Sequence, residues 1–305
     1  MNNKTLGIIF GILLVIAAVI FIFQSGKNER TFREVLVDID TSAVTQIIIY
    51  PKSQKPNEVK LFKENGEWKV NLQSGGTAKV TNQRMSSVFS QLLAIKPKQL
   101  VARDESKWNE LQVDSTGSRV QVYEGSDLSL DLVVGRFSFQ QPRSMNTFVR
   151  LYNDKDVYEV DGFLDMTFNQ GANMFRDGTV INSDYNNWKQ VQFVYPADSS
   201  FQLVNNDNNW LLNGQKTDSA KTVNYLNRIR NLSNSNFIDD TNINSTTMPT
   251  YSLNITTSDM NFIEVKCYVD SAKTIIHSSQ NPEAWFDGSS LTNTIFVGKS
   301  NFLSK

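Results

Sequence analysis

The sequence predicts an α+β protein: an N-terminal transmembrane helix, then two tandem duplicated units of mostly antiparallel strands, each with one covering helix. Three observations predict it. Leu6 to Phe23 is an unbroken apolar run without a charged side chain, and at 1.5 Å per helical residue it reaches roughly 27 Å, close to the thickness of a bilayer's hydrocarbon core. The remaining apolar residues fall in short β-branched and aromatic runs joined by turns too short for parallel crossovers, which favours antiparallel sheet. Finally, one order of elements is met twice along the chain.

The anchor is expected to stay attached, because Ile22 and Phe23 stand where a cleaved signal peptide needs small residues. Lys27, Arg30 and Arg33 follow the run and Lys4 precedes it, so the positive-inside count leans toward a cytoplasmic body. The expected divisions are a tail over 1–5, the anchor over 6–23, a juxtamembrane stalk over 24–43, a first unit over 44–182 and a second over 183–305. Within the stalk, Val35 to Val37 could form an edge strand.

In the first unit, Val44 to Tyr50 is a strand closed by Pro51, and Glu58 to Phe62 returns through Asn65-Gly66 into Glu67 to Val70, a hairpin signal. Thr81 or Asn82 caps a helix whose Met85, Val88, Phe89 and Leu92 share one face. A short helix over Asp104 to Leu111 holds Trp108. A meander then runs through Ser118–Tyr123, Leu128–Val134, Thr147–Tyr152 and Val157–Val160. In the second unit, Trp188 to Pro196 answers the first strand with Tyr195 in the role of Tyr50, and Trp210 answers Trp68 in the hairpin. Asp218 caps a helix with Ala220, Val223, Leu226 and Ile229 at threefold spacing, and Phe237 to Asp240 answers Val101 to Asp104. Tyr251–Ile255, Asn261–Val269 and Thr294–Val297 supply the second meander. Trp68 and Trp210 either cap their unit's core or stack on a sugar, and equivalent positions suit packing.

Composition excludes several functions. The chain has 305 residues with 30 basic against 31 acidic side chains, so no nucleic-acid partner is expected. With one Cys and one His, an intramolecular disulfide and a His-based metal cluster are both impossible. Cys267 lies in a strand-like run and is expected to be a buried small hydrophobe. His277 stands near no nucleophile-elbow pattern, and is expected at a strand end or in a loop. The pairs Asp38/Asp40, Asp154/Asp156 and Asp239/Asp240 lack calcium-loop spacing and are expected in solvated turns. No spaced glycine triplet or Gly-Lys-Ser/Thr cradle is present. No catalytic residue, cofactor or metal is therefore predicted. Arg136, Arg143 and Arg150 flank a polar segment and form either a solvated strand edge or a basic docking face.

Several stretches carry a family resemblance: Leu132-Val-Val-Gly-Arg136, Thr147-Phe-Val-Arg-Leu151, Val157-Tyr-Glu-Val160 and Phe175-Arg-Asp177. With the strand, hairpin and helix order, the chain resembles bacterial single-anchor proteins grouped as domain of unknown function 4340. Members commonly accompany ABC-type export machinery related to gliding motility. The resemblance implies a Bacteroidetes-like envelope protein crossing the inner membrane once, with an extracytoplasmic body, against the charge count. It assigns no catalytic residue. The expected function is a non-enzymatic docking or accessory component of an ABC-type export complex, with the lipid bilayer and export subunits as partners. The alternative is a tethered module binding glycan or peptide in the groove between the units; a hydrolase is third.

Overall fold

The structure is a computed structural model, and it describes residues 32–140, 144–207, 209–244, 246–269 and 273–304. The expected anchor Leu6–Phe23 and Arg143 lie outside the described residues. Among the described residues no helix is long and apolar enough to cross a membrane.

Two large sheets dominate, and every pairing within them is antiparallel. The first contains β1 (Val44–Tyr50), β2 (Val59–Glu64), β3 (Glu67–Asn71), β4 (Thr77–Lys79), β5 (Pro97–Ala102), β6 (Ser118–Glu124), β7 (Asp127–Gln140), β8 (Ser144–Leu151) and β9 (Val157–Asp161). Its spatial order is β4-β3-β2-β1-β6-β7-β8-β9-β5. After β10 (Thr179–Asn182) come β11 (Trp188–Val194), β12 (Phe201–Asn206), β13 (Asn209–Leu212) and β14 (Gln215–Lys216). Next are β15 (Asn231–Ser233), β16 (Tyr251–Thr257), β17 (Phe262–Val269), β18 (Thr274–Ser278) and β19 (Asn281–Asp287). The second sheet runs β14-β13-β12-β11-β16-β17-β18-β19, while β10 and β15 pair apart from it.

The two sheets agree residue by residue. Ile47 faces Leu61 and Val122 across its neighbours, and Val191 faces Leu203 and Ile255. Each first strand carries a bulge at the same place, between Val44 and Gln46 and between Trp188 and Gln190. Trp68 and Trp210 start the returning arms of equivalent hairpins and are both buried against their unit's core. One expected equivalence is corrected by this register. Tyr50 lies opposite Arg119, and the residue in its place is Val194, opposite Ser252. Tyr195 is one position further on, and a one-residue step along a strand turns a side chain to the other face. Tyr195 accordingly joins the second core, donating its hydroxyl to the Val297 carbonyl at 2.9 Å.

One helix covers the inner face of each sheet, α1 (Asn82–Leu93) in the first and, after the short α2 (Trp108–Leu111) and α3 (Asp165–Phe168), α4 (Ser219–Ile229) in the second. Thr81 caps α1 by accepting from Arg84 N, and Asp218 caps α4 by accepting from Lys221 N. Met85, Val88 and Leu92 bury the α1 face as expected. On α4 the buried face is Thr222, Tyr225, Leu226 and Ile229, while Ala220 is exposed and Val223 half-buried. A strict threefold stripe drifts off one face within three turns, because the helical repeat is 3.6.

Three more expectations change. No strand forms at Val35–Val37, yet Leu36 and Val37 are buried in the first core, so that unit takes in the end of the expected stalk. Thr294–Val297 is not a strand, since Leu291–Ile295 forms a short helix, α5, and β18 and β19 complete the second sheet instead. Pro282 obscured β19, but this strand is a sheet edge, where a missing N–H leaves no ladder bond unmade.

The units are clasped through Phe175-Arg-Asp177. Arg176, almost fully buried, donates from Nη1 to Asp239 Oδ1 at 2.7 Å and lies 3.8 Å from the Phe237 ring centre. Asp177 N donates to the Lys79 carbonyl in the first unit at 2.7 Å, and its own carbonyl accepts from Asn281 Nδ2 in the second at 2.7 Å.

Candidate functional site

Antiparallel pairing draws one transverse row across the outer face of the first sheet. Tyr50 faces Arg119, Arg119 faces Val133, Val133 faces Arg150, and Arg150 faces Val157. Directly paired residues project to the same side, so five strands deliver these side chains to one strip. The segment after β5 crosses over this strip and buries a second, smaller core of Leu111, Val113, Val133, Phe148 and Val157. Gly135 permits the close crossing: a Cβ there would stand 2.3 Å from the Leu111 carbonyl oxygen.

Arg150 fastens that segment. Only 3% exposed, it donates from Nε to the Val113 carbonyl at 2.9 Å and from Nη1 to the carbonyls of Leu151, Tyr152 and Asp154. Its guanidinium lies 3.8 Å from the Trp108 ring centre, and the Trp108 indole N–H donates to the Lys155 carbonyl. Burial pushes the Arg150 pKa below its ordinary value. Arg119 is held differently. Its Nε and Nη2 meet the two Asp131 oxygens at 2.8 and 2.6 Å, and its guanidinium sits 3.4 Å from the Tyr152 ring centre. Hydrogen bonding to Asp131 raises the Arg119 pKa.

Beside this strip opens a cavity of about 690 Å³, walled by Tyr50, Pro56, Trp108, Val133 and Tyr152, with Arg119, Arg150, Lys55 and Asp114 contributing charge. Lys55 Nζ donates to the Ser115 and Gly117 carbonyls. Asp114 points into its own turn, accepting from the Thr116 N–H and hydroxyl and from Asn109. Those hydrogen bonds outweigh the desolvation that opposes them and hold its pKa below the usual carboxylate range.

Of the three arginines of the expected docking face, two lie among the described residues. Arg150 is buried, and Arg136 is half-buried with its Nε on the Glu110 carbonyl at 2.9 Å. Both pin the crossing segment. The equivalent row in the second unit is Val194, Ser252, Lys266, His277 and Trp285. His277 thus occupies the Arg150 position within a strand, its ring 4.3 Å from that of Trp285 and its Nε2 3.1 Å from the Pro282 carbonyl oxygen. Cys267 is buried, and desolvation pushes its thiol up to about 11. Asp40 accepts from Ser42 in a turn, Asp239 pairs with Arg176, and Asp154 with Arg33. Among the described residues no group of three His, Cys, Asp or Glu side chains could hold a metal ion.

A second feature stands apart from the cavity. Past a bulge between Val134 and Phe137, β7 and β8 run on, and their last pairs, Phe139 with Met145 and Gln140 with Ser144, project beyond the end of β9. Phe137, Phe139 and Met145 are 50%, 57% and 50% exposed. Phe163 alone meets them by an aromatic contact among the described residues, edge-on to Phe137 at 4.8 Å.

Sequence reasoning singled out Arg150 but missed Tyr50's wall, Trp108's stacking, Arg119 and Tyr152. The available signal was Arg119 and Arg150 interrupting β-branched runs, a costly placement for a cation unless it is held. No curated protein and no solved structure is significantly similar to the chain. A family model described as a domain of unknown function matches residues 68–254, from the Trp68 hairpin into β16. This span, more than half of the chain, includes Gly135, the arginines and the Arg176–Asp239 pair described above, and the chain belongs to that family, DUF4340.

Proposed function

We propose that this protein is a membrane-tethered, non-enzymatic docking component of an ABC-type export assembly, held by Leu6–Phe23 with its body on the extracytoplasmic side. The apolar run supports the tether, and the family resemblance supports the export association and the orientation. The shared strand order and register of the sheets support a tandem duplication, with unit boundaries near residue 182. The observation that carries docking is the projecting hairpin: Phe137, Phe139 and Met145 form an exposed apolar surface that solvent does not explain. Its occupant in this reading is an apolar cleft on a protein subunit of the same membrane.

Affinity capture of the tagged full-length chain from gently solubilised membranes tests this. Transporter subunits and their ATPase should accompany the wild type, and should be lost from a Phe137→Ser/Phe139→Ser/Met145→Ser variant that remains membrane-bound. Export subunits retained at full yield by that variant would remove the hairpin from the interface. Their absence from the wild-type capture would end the export reading.

A further inference from the structure

We infer that the cavity beside Arg150 is a binding site for an organic carboxylate carrying an apolar or aromatic body. The inference stands apart from the docking reading, since it uses neither the hairpin nor the tether. Arg150 is a buried cation, yet no carboxylate of the described residues comes within ion-pair distance of it. Backbone carbonyls engage Nε and Nη1, whereas Nη2 finds no acceptor among the described residues. Nη2 is not sealed from solvent but opens on the cavity, where an anion would meet a guanidinium that no carboxylate of the described residues neutralises.

The charges lining the cavity come out net positive. Arg119 is neutralised by Asp131, while Lys55 contributes a second cation without a carboxylate partner among the described residues. Asp114 opposes an anion, but its oxygens accept from its own turn. With Nε and Nη1 engaged, Arg150 offers a single nitrogen rather than a two-pronged fork, so one carboxylate oxygen is the fitting acceptor. The rest of the wall decides the body of the ligand. Tyr50, Trp108, Tyr152, Pro56 and Val133 present rings and methyl groups. The volume, about 690 Å³, lies in the range that holds small molecules, roughly 300–1,000 Å³. That chemistry is shared by a free aromatic acid and by the C-terminal residue of a polypeptide.

The test uses the full-length chain in detergent, titrated calorimetrically with N-acetylphenylalanine and with N-acetyl-Gly-Gly-Phe, each beside its C-terminal amide. The Trp108 indole N–H resonance, assigned with Trp108→Phe, is followed in parallel. At least one acid should bind saturably and move that resonance, with its amide at least tenfold weaker. Tighter binding of the peptide assigns the site to polypeptide termini, and tighter binding of the amino-acid derivative assigns it to free acids. Arg150→Lys should weaken the acid tenfold or more. Because Arg150 also fastens the crossing segment, Lys55→Gln is the second variant, and a threefold or greater loss is expected there. Acids and amides binding alike, no saturable binding, or full affinity retained in whichever of the two variants folds would overturn the assignment.

Discussion

Single side chains carry most of the testable chemistry. Arg150→Ala removes four donated hydrogen bonds, taking the guanidinium donor from the carbonyls of Val113, Tyr152 and Asp154, while the Leu151 carbonyl keeps the Asp154 N–H. Buried acceptors left unmet cost about 1–3 kcal/mol each when water cannot reach them. The variant should lose about 3 kcal/mol by urea unfolding, with Arg136→Ala, on the half-exposed rim, losing about 1 kcal/mol or less. Cys267 supplies a second measurement: its buried thiol, pushed up to about 11, should resist a disulfide reagent at neutral pH in the folded protein and react at once in urea. Turn aspartates set the acid limit. Hydrogen bonds hold Asp104, Asp114 and Asp287 below their unfolded values. A depressed folded pKa contributes stability above the unfolded value, and that contribution is lost as pH falls through the folded pKa. The melting temperature should therefore drop as pH falls below about 4. A Tm flat to strong acid would show that these bonds do not persist in solution.

The elements were unevenly legible, for reasons that differ from one to another. The Asn65-Gly66 hairpin and both helix caps are local devices, and the chain displays them in consecutive residues. Thr81→Ala and Asp218→Ala should each cost about 1 kcal/mol, and similar losses by chemical denaturation would show that the two helices are anchored alike. The β18–β19 hairpin was obscured because Pro282 argues against a strand until the strand is known to lie at an edge. The α4 stripe was misplaced because Thr222 and Tyr225 bury polar groups: the Thr222 hydroxyl donates to the Asp218 carbonyl, and that of Tyr225 donates to the Ile295 carbonyl at 2.6 Å. The matching of Tyr195 with Tyr50 failed by one residue, since a shared Tyr-Pro ending carries less information than the shared bulge that sets the register.

At the scale of the molecule, two similar sheets are joined by a polar clasp and differ in what they place on their outer faces. Arg176 is the buried member of the clasp, and Asp239 is its carboxylate partner. Asp239→Ala should cost about 1–3 kcal/mol, less than a fully buried pair because Asp239 keeps some exposure to water. It should also speed proteolysis between the units, which limited digestion followed by mass spectrometry would detect; unchanged cleavage would mean that the backbone bonds of Asp177 suffice. The outer rows of the two sheets diverge. Arg150 and His277 share one topological position, yet the first is covered and faces a cavity while the second stacks on Trp285. By itself the sequence determined the α+β class, the repeated order of strand, hairpin and capped helix, and the burial of Trp68, Trp210 and Cys267, because these follow from turn chemistry and hydrophobic period within short windows. Only the tertiary structure decided the register that aligns Tyr50, Arg119, Val133 and Arg150, the crossing segment over Gly135, and the clasp between Arg176 and Asp239. Each depends on pairing residues far apart in the chain, and local pattern carries no information about which distant strand will stand beside it.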